Sequence, residues 1–236
     1  SKYAALLEFC EEFSDEDRLT ACGILTGNES AALKKSKLSK YIIFGEGNVM
    51  SMLGTYNYTF YAPQDMEEAH SHGLPRWSQV DALIEKWAYI EEGKLTPEEL
   101  AEKEADMKQA RAYIDKMHDF VMYHIQSNSV FEDNIINTSK NETFLTDQLG
   151  IAKTLRLSKD GSATVINDAV TSGRAGYPRI VAPNLLARDV TTNVKSEASM
   201  VDVNKKQFSY REIVSSSFVV VHGIDKPLCY NEKYGF

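Results

Sequence analysis

The sequence predicts one α+β domain, because helical patterns fill its first half and short strand patterns fill its second. A capping box beginning at Thr96 starts a long helical pattern, Asp160-Gly161 is a hairpin signal, and an apolar strand pattern occupies 217–222. Helices followed by strands are typical of an α+β domain with a mixed or antiparallel sheet. The 236 residues, 43% of them hydrophobic, are enough to bury one large core, and no internal repeat divides the chain.

Charge and hydropathy argue against nucleic acid as a partner and against a membrane-spanning helix. The chain carries 26 Lys plus Arg against 34 Asp plus Glu, a formal net charge of −8. This charge repels a phosphate backbone, and no stretch concentrates enough basic residues to offset it. Apolar runs such as 218–221 span at most five residues, far fewer than the ~20 that a helix needs to cross a bilayer. The sequence therefore predicts neither a nucleic-acid partner nor a membrane-spanning helix in this chain.

The opening segment, 1–13, predicts an amphipathic helix. Its apolar residues recur at three- and four-residue steps, at Tyr3, Leu6, Cys10 and Phe13. From 14 to 52 the pattern weakens, and only 41–44 is typical of a strand.

A strand is predicted at 56–62, because aromatic side chains and Thr are frequent there. Pro63 follows it. Since the first position of a helix needs no N–H, we expect a short helix to begin at Pro63 and to end near Gly73.

Apolar periodicity predicts two further helices. The first begins at about Trp77, and its apolar stripe, which we expect to face the core, continues through Val80, Ile84 and Trp87. The second begins at the capping box Thr96-Pro97-Glu98-Glu99 and reaches about Ile125. Its charged first half is expected to project into solvent. The apolar face of its second half includes His124, which we therefore expect to point toward the core.

Beyond residue 150 the pattern is that of short strands. Segments 153–157 and 163–166 flank the Asp-Gly turn and predict a hairpin. Further strands are predicted at 179–182, 199–203 and 217–222, whereas 168–177 and 186–196 have the composition of loops.

No pattern for a metal or a cofactor emerges. His70 and His72 are the only close histidine pair, and two residues apart on a helix they point in different directions. The sequence has no Gly-rich phosphate loop and no Gly-x-Ser-x-Gly elbow. We therefore expect no metal and no cofactor. The three cysteines, Cys10, Cys22 and Cys229, are interpreted as structural thiols.

One catalytic arrangement stays open. His124, His222 and Asp225 could meet across the fold and polarise one another. The alternative is structural: a buried imidazole must satisfy both ring nitrogens, and a histidine at a helix end can lock the helix to a strand or loop.

Three distant segments, 58–65, 121–125 and 219–228, show a pattern in chain order. A strand ends in Ala-Pro, a Tyr-His pair closes a later helix, and a final apolar strand is followed by His and Ile-Asp. Together they resemble the fasciclin-like adhesion domain. The residues that match are Phe60, Ala62, Pro63, Tyr123, His124, Val221, His222, Ile224, Asp225 and Leu228.

The resemblance implies a fold and its boundaries. Family members fold as a β-sheet wedge with helices packed along one edge. On this basis residues 1–236 form a single fasciclin-like domain, and the segments 14–52, 91–112 and 168–210 are expected to be insertions.

The resemblance also implies a function. Family members are adhesion or binding modules, so Tyr123 and His124 become ligand-binding candidates, and the expected partner is an extracellular or envelope protein or a glycan. Residues 73–77 are similar to those of bacterial surface members, which implies an exported protein whose anchor or signal peptide lies outside this chain. The alternatives are a hydrolase using His222 and Asp225, and a structural spacer in a larger envelope protein.

Overall fold

The structure is a computed structural model and describes residues 16–38, 58–132, 135, 140–189 and 218–236. Within these residues the helices are α1 Glu16–Ala21, α2 Ala31–Leu38, α3 Glu67–Ser71, α4 Trp77–Glu85 and α5 Pro97–Tyr123, with a short 3-10 helix at Glu92–Lys94. The strands are β1 Tyr58–Pro63, β2 Ile125–Gln126, β3 Lys140–Thr146, β4 Ala152–Asp160, β5 Ala163–Asn167, β6 Arg179–Asp189 and β7 Phe218–Ile224.

The strands form one closed barrel in chain order, from β1 to β7. Every pair of successive strands is antiparallel, whereas β1 and β7 close the barrel as a parallel pair, with Tyr58 opposite Val219 and Pro63 opposite Ile224. The predicted α+β class with a mixed sheet is therefore confirmed.

Hydrophobic side chains pack on both faces of β1, all of whose residues are buried. Inside the barrel, side chains from six strands meet: Tyr61, Leu145, Leu155, Ile166, Ile180 and Ile224. On the other face Phe60 and Ala62 pack with Ile114 and Met117 of α5. Because side chains alternate along a strand, β1 contributes to both cores.

Two helices, α4 at Trp77 and α5 at Pro97, begin where the sequence predicts. Thr96 Oγ1 accepts a hydrogen bond from the Glu99 N–H at 3.2 Å, and the Glu99 carboxylate accepts one from the Thr96 N–H at 2.7 Å. This reciprocal pair satisfies two N–H groups that have no partner inside the helix. In α4 the stripe of Val80 and Ile84 is buried and continues to the buried Trp87 beyond the helix end, as expected.

The prediction that Pro63 starts a helix is wrong. Pro63 is the last residue of β1, and the following helix starts at Glu67. The N–H of Tyr61, two residues earlier and on the same side of the strand, bonds to the carbonyl of His124, where α5 ends. The pairing of β1 with β2 includes Thr59 and Phe60 and does not reach position 63, so a proline there removes no hydrogen bond between these two strands.

Two further differences concern the strands. Residues 186–189, predicted as loop, belong to β6 and pair with β7, so part of the segment 168–210 contributes a barrel strand. Strand β3 was not predicted, because two of its buried positions are the polar Asn141 and Thr143, and a search for apolar alternation passes over them. The elements predicted at 1–13, 41–44 and 199–203 lie outside the described residues.

Candidate functional site

His124 follows the last residue of α5 and is fully buried. Its Nδ1–H donates to the Phe120 carbonyl at 2.7 Å, and its Nε2 accepts from the Leu228 N–H at 2.9 Å. Burial lowers the pKa of His124 to about 4, so the ring is neutral at neutral pH. The expected orientation toward the core is confirmed. Both ring nitrogens are used by backbone groups, and the ring joins the end of α5 to the segment after β7.

Tyr123 is buried beside it. Its hydroxyl donates to the Thr154 carbonyl at 3.4 Å, and its ring packs edge-on against Tyr230 with 6.0 Å between the ring centroids. Burial raises the pKa of Tyr123, which keeps the phenol protonated. Of the two ligand-binding candidates, only Tyr123 contributes to the wall of a surface groove.

The three segments that carry the family resemblance meet in space. Along the parallel pair of β1 and β7, Tyr61 lies opposite His222 and Ala62 opposite Gly223. The Tyr61 N–H donates to the His124 carbonyl at 2.9 Å. The signature residues Phe60, Ala62 and Ile224 are buried, so they serve packing.

His222 is also fully buried, and both of its ring nitrogens form hydrogen bonds to backbone groups. Nδ1 accepts from the Asn184 N–H at 3.0 Å, and Nε2–H donates to the Val130 carbonyl at 2.8 Å. The Asp225 carboxylate instead accepts from the Arg179 N–H at 2.7 Å. Since neither imidazole nitrogen is left for Asp225, the structure does not form the His222–Asp225 pair that the hydrolase alternative requires.

The segment 127–132, which follows β2, bonds to polar side chains of several strands. Thr59 Oγ1 donates to the Asn128 carbonyl at 2.7 Å and accepts from the Val130 N–H at 2.8 Å. The Glu132 carboxylate pairs with Lys159, and this contact lowers the pKa of Glu132. These bonds satisfy buried polar groups of the barrel and hold the segment in place.

An open groove of about 740 Å³ lies between the outer part of the β4–β5 hairpin and the C-terminal segment. Its accessible walls combine aromatic, amide, hydroxyl and charged side chains, namely Lys153, Arg156, Ser158, Asn167, Tyr177, Tyr230 and Glu232. Clefts in which apolar and aromatic surface surrounds a few polar groups are the usual form of a ligand site. We call this feature the hairpin groove.

A buried ion pair supports the floor of the hairpin groove. The Asp168 and Arg174 side chains are 0% and 2% exposed and form two hydrogen bonds, at 2.6 and 2.9 Å. Asp168 also accepts the Cys229 N–H at 2.9 Å, and Arg174 donates to the Pro227 carbonyl at 3.2 Å. The pair therefore ties the loop after β5 to the segment after β7 and fixes the two sides of the groove.

The two cations that line the hairpin groove, Lys153 and Arg156, differ in their contacts with the rest of the protein. The Lys153 ammonium donates to the Tyr230 carbonyl at 3.1 Å and lies 5.5 Å from the centre of that ring. Arg156 is exposed, and its side chain has no ion pair within the part of the chain that the structure describes. Lys140 of β3 lies directly opposite Arg156.

The histidine pair and two of the cysteines discussed in the sequence analysis have local surroundings that involve no ligand. His70 Nδ1 bonds to the Leu74 carbonyl, and His72 stacks on Tyr234 with 4.0 Å between the ring centroids. Among the described residues no group of three potential metal ligands occurs. Cys22 and Cys229 are buried thiols, and burial raises the pKa of Cys22 to about 11. Helices long and apolar enough to cross a membrane are also absent from the described residues.

A second cavity of about 640 Å³ lies between α1, α5 and the turn after α4. Its walls include Trp87, Ile90, Leu100 and Met107, with Arg111 among the charged residues. It has more aliphatic side chains and fewer amide and hydroxyl groups than the hairpin groove.

Sequence reasoning missed the groove residues. Arg156, Asn167 and Tyr177 belong to no motif, and Tyr230 joins them only through the fold. The available signal was the hairpin itself, since residues on its outward face are predicted to be exposed.

Comparison with known proteins assigns neither a family nor a function to this chain. The sequence matches no protein-family model, and a search of curated proteins finds no significant match.

Proposed function

We propose that this protein is a non-catalytic binding module that recognises a protein or a glycan through the hairpin groove. The observation that carries the proposal is the groove itself, an open cleft with aromatic surface and an exposed cation. The groove lies on hydrogen-bonded strands and is fixed by the buried Asp168–Arg174 pair. A rigid scaffold of this kind lowers the cost of ordering a site when a ligand binds.

The proposal includes a fasciclin-like fold, exported to the cell surface or envelope. Two contacts support the resemblance: the first and last signature segments are neighbouring strands, and the Tyr-His pair bonds to the first of them. In this account Tyr123 and His124 serve the site indirectly, by joining α5 to the barrel beside the groove.

The proposal favours binding over the hydrolase alternative, because the imidazole of His222 is committed to Asn184 and Val130. A general base must reach the proton that it abstracts, and a nitrogen that already donates or accepts inside the protein cannot do so without rearrangement. The spacer alternative predicts a folded domain without a ligand.

Binding to an array of glycans and extracellular proteins tests the proposal, measured in low and in high salt because an acidic surface can attract basic proteins nonspecifically. We expect a saturable, salt-resistant hit. Tyr177→Ala should weaken it at least tenfold, since Tyr177 is 39% exposed in the groove wall. Tyr89→Ala is the matched control, because Tyr89 is 93% exposed and lies outside the groove. Equal binding by both variants and the wild type would contradict the proposal.

A further inference from the structure

Two basic residues face each other beside the hairpin groove. Lys140 of β3 and Arg156 of β4 are directly opposite in the antiparallel register, and both are exposed. Side chains at such positions lie on the same face with about 5 Å between their Cβ atoms, and like charges placed there destabilise a sheet. Glu142, two positions along β3, lies opposite Thr154. Within the described residues neither cation forms an ion pair.

The local charge of the groove has the opposite sign to that of the whole chain. Lys153 and Arg156 line the groove together with two acids, Asp168 and Glu232. The Asp168 charge is compensated by the buried Arg174, which leaves Glu232 as the exposed lining carboxylate. At the edge Lys140 adds a third cation and Glu142 adds a second exposed carboxylate, so three cations stand against two uncompensated acids. A protein with a formal charge of −8 thus presents a cationic cluster at this groove.

Uncharged hydrogen-bonding groups surround these cations. Asn167 lies opposite Arg156 on the other neighbouring strand, and its Nδ2 donates to Ser158 Oγ at 3.0 Å. Tyr177 supplies an exposed aromatic ring, a large and rigid apolar surface with a polar hydroxyl. Amide, hydroxyl and aromatic groups together suit a ligand with many hydroxyls and an apolar ring face.

The barrel argues against a peptide as the ligand. Extended peptides commonly bind by adding a strand to an exposed sheet edge. Here the described strands close on themselves, and β4 and β5 each have a partner on both sides. The groove therefore offers no backbone ladder to a peptide, and its contacts come from side chains.

We infer that the hairpin groove recognises an acidic saccharide. Its carboxylate or sulfate group binds between Arg156 and Lys140, and its ring packs on Tyr177. The guanidinium group favours this ligand because it can bind a carboxylate or a sulfate with two parallel hydrogen bonds. This inference rests on the proposed binding function and specifies its ligand class.

Calorimetric titration at 150 mM salt tests the inference with four probes of similar length. They are a galacturonic acid hexasaccharide, a sulfated heparin hexasaccharide, neutral cellohexaose and hexaglutamate. We expect one of the two acidic saccharides to bind saturably and to identify carboxylate or sulfate as the preferred group. Arg156→Gln and Lys140→Gln should each weaken that binding about tenfold, the size expected when a charge-assisted hydrogen bond is lost. Lys108→Gln, an equal charge change on the exposed face of α5, should leave it unchanged.

Several results would overturn the inference. Equal binding of cellohexaose with no effect of Arg156→Gln would show that the groove binds neutral sugars, and equal binding of hexaglutamate would show that it selects charge alone. Failure of all four probes, with an array hit that Tyr177→Ala weakens, would remove the saccharide assignment and leave the proposed binding function standing. An array without any hit would remove the proposed function itself.

Discussion

The buried imidazoles and the hairpin groove place polar groups in opposite environments. His124 and His222 are fully buried, and each ring nitrogen has one backbone partner at 2.7–3.0 Å. In the groove, Arg156 is exposed and lies opposite another cation. The residues that carry the recognisable pattern therefore support the fold, whereas the groups available to a ligand lie in a part of the sequence without a motif. Substitutions of the buried groups should therefore change mainly stability, and substitutions of the groove cations should change mainly binding.

Removing Asp168 should have the largest effect on stability. Asp168→Ala leaves the buried Arg174 unpaired and removes the acceptor of the Cys229 N–H. Breaking a buried pair in this way costs roughly 3–5 kcal/mol, and denaturant unfolding would measure the loss. The matched control is Glu91→Ala, because the Glu91–Lys94 pair is exposed and its loss should cost less than about 1 kcal/mol. Equal effects of the two variants would contradict a supporting role for the buried pair.

The second largest effect is expected at His124. His124→Ala removes a buried ring, and the Leu228 N–H and the Phe120 carbonyl each lose their hydrogen bond to it. The free energy of unfolding should fall by about 2–4 kcal/mol. For a domain of this size the melting temperature should fall by roughly 5–15 °C. Tyr123→Phe deletes only a hydroxyl with a long hydrogen bond and should cost less than about 1 kcal/mol. An unchanged melting temperature for His124→Ala would show that the ring does not join the helix to the barrel.

Acidification should weaken the buried region that contains the two histidines. The pKa of His124 is lowered to about 4 in the folded state, and burial lowers that of His222 as well. The unfolded chain therefore binds more protons below its histidine pKa, and stability falls as the pH drops from about 6.5 toward 4. For His124 alone the loss between pH 7 and pH 5 is about 2 kcal/mol. NMR titration of the histidine rings would check this, and a His124 signal titrating near pH 6.5 would contradict it.

The smallest change in stability is expected for a substitution of Lys140, and this change should be a gain. Lys140→Glu replaces a like-charge pair with an opposite-charge pair across β3 and β4, so stability should rise by about 0.5 kcal/mol. Binding of an acidic saccharide should fall in the same variant. A gain in stability with a loss of binding is expected where a site retains unfavourable charges for its ligand. Lower stability together with unchanged binding would show that the cation pair has no such role.

Local signals predicted much of the fold. The capping box at Thr96 and the turn at Asp160-Gly161 each depend on a few neighbouring residues, so α5 and the β4–β5 hairpin could be predicted directly. Pro63 shows the limit of such signals. Proline suits the start of a helix, and it also suits the end of a strand at a position that pairs on one side only, as Pro63 pairs with Ile224. Tertiary pairing decided between these two conformations.

The rest depends on contacts between distant residues. Strand β3 buries the polar Asn141 and Thr143. Thr143 is acceptable there because its hydroxyl donates to the Lys153 carbonyl of the neighbouring strand β4 at 2.9 Å. The hairpin groove brings Lys153 to Tyr230, which is 77 residues away along the chain. Without a motif or a local periodicity for these residues, the sequence could suggest a binding module and could not locate its site.

Mapping the bound ligand by NMR would show which surface of the protein it contacts. The labelled protein would be titrated with the acidic hexasaccharide that binds in the calorimetric assay, and the backbone amide shifts would be followed. We expect shifts concentrated at Arg156, Asn167, Tyr177 and the segment around Tyr230, with His222 and its partners unchanged. Shifts concentrated instead around Trp87, Leu100 and Met107 would place the ligand in the second cavity and would contradict the assignment of the hairpin groove.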